Sequence, residues 1–191
     1  MKKVVFLDRD GTINRDSPHY IKDRSEFEFI PGSIAAISNL TANGFTSIVV
    51  TNQSALARGL ISTAELGAMH AMMCEEIAFG GGHITDIFLC PHQPEAGCDC
   101  RKPAPGLLFQ AKQKYNIDLA DAVMVGDSVK DIICGRVAGC GRTVLVLSGK
   151  DADTEMQLHN KQIKTDYVAA DLLEAAEWII DYHARLKPSG T

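Results

Sequence analysis

The sequence predicts an α/β fold with a doubly wound parallel sheet, and three observations predict it. Short apolar runs rich in β-formers alternate with helical patterns along the chain. The runs are too short for helices and read as buried strands. Polar residues also stand at the ends of successive runs, namely Asp8, Thr51, Cys90 and Asp127. In an open parallel sheet those ends border the ligand crevice, so the four are expected to converge there.

The elements follow in order. Val4-Val5-Phe6-Leu7 is the first strand, ended by polar residues and Gly11. Residues 12–30 are irregular and polar, with aromatics Tyr20, Phe27 and Phe29, and are expected to form a flap over the crevice. Ile34, Ile37 and Leu40 recur at helical spacing, and Gly44 sits where that helix stops. Residues 47–51 form the second strand. Ser62 or Thr63 can cap the next helix, which carries Leu66, Met69, Met73 and Ile77 on one face. Gly80-Gly81-Gly82 reads as a flexible connection to a third strand at 84–89. Helices at 106–115 and 129–138 bracket a fourth strand at 122–126. A fifth strand at 143–147 and a last helix at 171–186 follow, with residues 187–191 frayed. Residues 11–50 and 52–100 hold only these elements and leave no room for a separate cap domain. The 191 residues therefore read as a single domain, 1–191.

Composition narrows the function. The net charge is -5, and a nucleic-acid or anionic-membrane partner would reward a basic surface instead. No apolar run approaches the ~20 residues that span a bilayer, and the first is broken at Asp8, too early for a signal peptide. The expectation is a cytoplasmic monomer with a small-molecule partner.

The chemistry concentrates in carboxylates. Asp8-Arg9-Asp10-Gly11-Thr12 follows the first strand, and carboxylates at i and i+2 can face a common ligand as the chain turns. With Asp127 they make a hard oxygen site suited to Mg²⁺. An isolated D-x-D-G is most often an acidic turn. Here it has company: Thr51-Asn52-Gln53-Ser54 after a second strand, Arg101-Lys102-Pro103, and Gly126-Asp127-Ser128-Val129-Lys130-Asp131 after the fourth.

In that order the four blocks resemble the motifs of the haloacid dehalogenase (HAD) superfamily of phosphatases, over residues 4–131. The resemblance implies a Rossmann-like HAD fold and phosphate-ester hydrolysis through an aspartyl-phosphate. It implies Asp8 as nucleophile and Asp10 as general acid, then base. Thr51 and the Asn52 backbone would hold the phosphoryl group, with Gln53 and Ser54 beside them on the substrate side. Lys102 would neutralise its charge, and Asp131 would orient Lys102. Asp127 would bind Mg²⁺ with the Asp8 carboxylate and the Asp10 carbonyl. The physics agrees: a phosphate dianion repels a carboxylate until a metal ion and a lysine cancel the repulsion.

Cys90, His92, Cys98 and Cys100 read C-x-H-x5-C-x-C in a loop marked by Pro91, Pro94 and Gly97. Three thiolates and an imidazole form a closed tetrahedral zinc set of the structural kind. The other cysteines, Cys74, Cys134 and Cys140, read as small buried hydrophobes. The zinc would staple residues 90–102 and hold Arg101 and Lys102 toward the crevice, with Arg101 suited to phosphate or hydroxyl groups.

This loop followed by C-R-K-P resembles a narrow branch holding the heptose bisphosphate and histidinol-phosphate phosphatases. Residues 51–59 are similar to the heptose pattern T-N-Q-S-G-I-A-R-G, with Ala55 in place of its first glycine. The resemblance implies heptose 1,7-bisphosphate losing its 7-phosphate, with histidinol phosphate as the alternative. Asp16, His19 and Tyr20 of the flap are the expected contacts to sugar hydroxyls. A non-enzymatic zinc-loop binding module, a phosphotransferase and a nucleic-acid end phosphatase are the readings from other classes.

Overall fold

The computed structural model describes residues 2–185, so the tail at 187–191 lies outside the described residues. Strands and helices alternate as β1 Lys3–Leu7, α1 Ser33–Ala42, β2 Phe45–Asn52, α2 Thr63–Phe79, β3 Ile84–Cys90 and α3 Gly106–Tyr115. The second half continues as β4 Val123–Gly126, α4 Val129–Ala138, β5 Arg142–Val146, α5 Thr154–Asn160, β6 Tyr167–Ala169 and α6 Leu172–Arg185. Neighbouring strands pair in parallel in the order β3-β2-β1-β4-β5-β6.

That order places the site. The chain winds outward from β1 to β3, returns to the middle, and winds outward the other way from β4 to β6. The reversal between β1 and β4 opens a crevice at their carboxyl ends. Leu7 is in register with Val125, and the Asp8 N–H donates to the Val125 carbonyl at 2.9 Å. Asp8 and Asp127 are therefore neighbours by register.

Both faces of the sheet are covered, which is why its strands are apolar throughout. Val5, Leu7, Val49 and Val125 belong to a core with α1, α2 and α6. Val4, Phe6, Ile48, Val50 and Met124 belong to a second core with α3 and α4. The alternation along each strand sends successive side chains to opposite cores. On α2, the Ser62 hydroxyl accepts from the Glu65 N–H at 3.0 Å, and Leu66, Met69, Met73 and Ile77 are buried. On α6, Leu172, Ala175, Ala176 and Ile179 make the buried stripe. No described helix is long and apolar enough to cross a membrane.

Three features depart from expectation. Strand β6 and helix α5 are additional. The former has three residues and only β5 to pair with, and the latter buries just Thr154 and Leu158, so neither carries a periodic pattern. The glycine run is not a flexible connection. Gly80 and Gly82 approach α1 so closely that a Cβ would meet Ile34 or Ile37, so the run is a packed turn that needs glycine for closeness. Residues 12–30 lack strands and α-helices but are anchored: Ile13, Ile21, Phe27 and Ile30 are buried, and Phe27 meets Phe29 edge-on at 5.1 Å.

Candidate active site

The turn after β1 is closed by the N–H groups of Thr12, Ile13 and Asn14, which donate to the Arg9 carbonyl at 3.3, 2.8 and 3.1 Å. Gly11 within it has φ +84°, and the Asp127 carboxylate fills the space that a Cβ there would need. Asp8, Asp10 and Asp127 thus meet in one crevice of about 280 Å³.

Lys102 enters from the zinc loop, almost wholly buried, with its ammonium 2.8 Å from Asp8 and 2.6 Å from Asp131. The second Asp131 oxygen accepts from the Ser128 N–H and hydroxyl at 3.0 and 2.6 Å, fixing the first turn of α4. Burial works to lower the Lys102 pKa, but Asp131 and Asp8 outweigh it and push it up. Burial pushes Asp8 up to about 7 against the pull of Lys102. Burial, reinforced by Asp131 and Asp8, pushes Asp127 up to about 9.

Burial leads both carboxyl shifts, and neighbouring carboxylates add to it. Asp8, Asp127 and Asp131 each offer an oxygen within 4.8 Å of the others, against the single ammonium of Lys102. A divalent cation would cancel the remainder. Asp131 already serves Lys102 and Ser128, so Asp8 and Asp127 are the carboxylates left for the ion. With the Asp10 carbonyl they form an all-oxygen set that fits Mg²⁺.

The crevice brings together most of the residues singled out above. Asp8, Asp10, Thr51, Asn52, Gln53, Ser54, Arg101, Lys102, Asp127 and Asp131 line it, with Asp16 and Tyr20 from the flap. The Gln53 amide donates to both the Thr51 hydroxyl and Asp10 at 2.8 Å. Asn52 also acts elsewhere: its side chain donates to the Lys102 carbonyl at 3.1 Å and accepts from the Lys102 N–H at 3.0 Å, clamping the zinc loop to β2.

His19 does not join them. The chain turns at Tyr20, φ +63°, and leaves His19 exposed, while Ser17, Pro18 and Ile21 line the crevice beside Tyr20. Cys90 also misses the crevice. It sits in the core beneath the zinc loop, so three strand ends converge and not four. The lining adds Arg9, Lys130, Lys150 and Asp151, which the sequence did not single out. Lys150 pairs with Asp16 at 2.6 Å, joining the loop after β5 to the flap. Nothing in the local sequence distinguishes Lys130, Lys150 and Asp151 from solvated surface charges, whereas Arg9, between the two carboxylates, is buried.

Cys90, His92, Cys98 and Cys100 stand as a cluster. Their sulfurs are 3.3, 3.5 and 3.6 Å apart, and His92 Nδ1 lies 3.5 Å from Cys90 and 3.3 Å from Cys100. A tetrahedron with zinc–sulfur bonds of ~2.3 Å has sulfur–sulfur edges of roughly 3.8 Å. The side chains already hold nearly that spacing, so the set fits zinc. Arg101 Nη1 donates to the carbonyl of His92 at 3.0 Å, which ties the arginine to the cluster. Cys98→Ser should release the metal, as zinc content will show. It should lower kcat/KM by about a hundredfold, the scale of a misplaced reacting group. Full activity in a zinc-free protein would mean that the Asn52 clamp and the Asp131 pair hold Lys102 without the metal.

Sheet order and crevice define the class of protein, a HAD-like hydrolase. The HAD-hydrolase-like family model matches residues 99–175. The D-glycero-β-D-manno-heptose-1,7-bisphosphate 7-phosphatase of Bordetella bronchiseptica is 46% identical over 138 residues, covering 72% of this chain and 77% of that protein. The Pseudomonas putida protein of the same name is 43% identical over 178 residues, 93% of this chain and 99% of its own. The crystal structure of the B. bronchiseptica D,D-heptose 1,7-bisphosphate phosphatase, complexed with magnesium and phosphate, superposes with a TM-score of 0.88 at 41% identity. It covers 95% of this chain and 99% of that one. The chain belongs to this family of heptose bisphosphate 7-phosphatases.

Proposed function

We propose that the chain hydrolyses the 7-phosphate of D-glycero-D-manno-heptose 1,7-bisphosphate in the route to ADP-heptose, with Asp8 as nucleophile. The Asp8 oxygen attacks phosphorus, the bond to the sugar oxygen breaks, and Asp10 gives that oxygen its proton. Asp10 then takes a proton from water, the water oxygen attacks the aspartyl-phosphate, and inorganic phosphate leaves as Asp8 is restored. Lys102 and the Thr51 hydroxyl hold the equatorial oxygens, and Asp131 keeps Lys102 aimed. Asp8, Asp127 and the Asp10 carbonyl would hold Mg²⁺, which supplies charge neutralisation when bound. The flap at 12–30 and the zinc loop at 90–102 serve in place of a cap, and residues 1–191 act as one domain.

The observation that carries the substrate is the charge of the rim. Arg101 and Lys130 line the mouth of the crevice and have no carboxylate partner among the described residues. Two cations without a carboxylate partner, against the one unpaired carboxylate of Asp151, suit a second phosphate beside a pocket built for one phosphoryl group. They are unfavourable for the ammonium group of histidinol phosphate. The names of the relatives support the same choice. Three zinc-bound thiolates suit a reducing compartment, and we extend the reading to a cytoplasmic monomer without nucleic-acid or membrane partners.

Phosphate release with Mg²⁺ tests the substrate. Heptose 1,7-bisphosphate is expected to exceed histidinol phosphate by roughly a hundredfold in kcat/KM, about 3 kcal/mol of transition-state binding. The opposite preference would move the chain to histidine biosynthesis with the same inner residues.

A further inference from the structure

Arg9 is a guanidinium 1% exposed, and nothing in the chemistry above uses it. Its Nε and Nη2 donate to Asp10 Oδ1 at 3.1 and 2.7 Å, and Nη2 reaches Oδ2 at 2.9 Å. Its Nη1 points the other way, to His70 Nε2 at 3.1 Å, with Met69 Sδ at 3.8 Å. Both partners come from the buried face of α2. A guanidinium has donors only, so His70 must be the acceptor and its ring neutral. Helix α2 thus reaches the reaction crevice through one arginine.

Asp10 is saturated. Beside the three bonds from Arg9 it accepts from Asn14 Nδ2 at 2.9 Å and Gln53 Nε2 at 2.8 Å. Four donor nitrogens make these five contacts and take up the roughly four lone-pair sites that a carboxylate offers. A group in that position has no room for the proton it must hand to the leaving oxygen. Asp10 therefore has to give up part of this cradle during the reaction and regain it afterwards. Each time it turns, Arg9 stays behind as a buried cation that has lost its counter-ion, a costly state. His70 is the partner that remains.

We propose that Arg9 and His70 are positioning residues for Asp10, with His70 holding Arg9 in place so that the carboxylate turns out of and returns to one defined position. The inference rests on the Asp10 role given above. It predicts a defect confined to steps in which Asp10 moves a proton. His70→Leu removes the acceptor; His70→Gln restores an oxygen near the Nε2 position.

The experiment compares two esters in rapid-mixing kinetics with Mg²⁺. Heptose 1,7-bisphosphate needs a proton on its leaving oxygen, whereas the phenolate of p-nitrophenyl phosphate departs without one. His70→Leu should slow phosphate release from the sugar ester by about tenfold or more, part of the roughly 10²–10⁴ that acid–base catalysis supplies. The initial burst of p-nitrophenolate should stay within about twofold of the native rate, KM should hold, and His70→Gln should recover most of the loss. Should His70→Leu not fold, His70→Asn, whose amide falls short of Nε2, makes the same comparison. Equal slowing of the burst and of the sugar ester, or no slowing of either, would overturn the proposal. Asp10→Asn run alongside separates the two levels. If it too lacks leaving-group dependence, the Asp10 assignment itself fails. If it shows the dependence and the His70 variants do not, only the positioning role fails.

Discussion

Asp8→Asn is expected to end turnover, with kcat lower by roughly 10⁴-fold or more, as removal of a covalent nucleophile generally does. The amide keeps the shape of the side chain but cannot form the acyl phosphate, and it removes one of the two carboxylates left for Mg²⁺. The fold should survive. Lys102 retains Asp131 at 2.6 Å, so the buried ammonium keeps a counter-ion. Asp8 is itself in an unfavourable place for a charge, with burial pushing it up to about 7. Replacing it by a neutral group relieves that cost, and the metal-free variant should melt no lower than the native protein. Intact-mass analysis after mixing with substrate should show phosphate attached to the native protein and none on the variant. Retained turnover would remove Asp8 from the mechanism.

Lys102→Met should damage both activity and stability. Loss of one charged donor to the transferring group typically costs roughly 10²–10³ in kcat. The stability effect comes from the charges left behind. Asp8, Asp127 and Asp131 would be left buried together with no cation paired to them, and breaking such a pair costs about 3–5 kcal/mol. The pH dependence has a definite sign. Lys102 lowers both Asp8 and Asp127, so its loss raises pKa values already near 7 and 9, against an ordinary 3.8. A carboxyl raised in the folded state binds its proton more tightly there than in the unfolded chain. Stability therefore falls as pH rises from about 4 toward the raised values. Without Mg²⁺, the melting temperature of Lys102→Met should drop across that window more steeply than that of the native protein, and added Mg²⁺ should recover part of it. A pH-independent difference would mean that the lost methylene packing, and not the charge, sets the penalty.

Much of this site was legible because its parts sit next to strand ends. Asp8, Asp10, Thr51 and Asp127 each lie within a few residues of a run whose burial is local and patterned. The zinc set was legible for a related reason, since C-x-H-x5-C-x-C confines four ligands to one loop. His19 was misplaced because a turn conformation at Tyr20, not residue type, decides which flap side chains face inward. The glycine run was misread because its need is a close approach to α1, which no neighbouring residue announces.

What the sequence by itself determined was the α/β class, five strands of the sheet, the carboxylate, lysine and phosphoryl-binding blocks, and the zinc loop. Apolar runs, caps and ligand spacing act over a few residues, so the order of residues carries them. Only the tertiary structure decided what those parts do to one another. The β1–β4 register set Asp8 beside Asp127, and the Asn52 clamp held Lys102 across fifty positions of chain. Arg9 joined Asp10 to His70 across sixty-one. Charge neutralisation and desolvation depend on distance in space, and a chain that folds back on itself makes that distance independent of spacing in sequence.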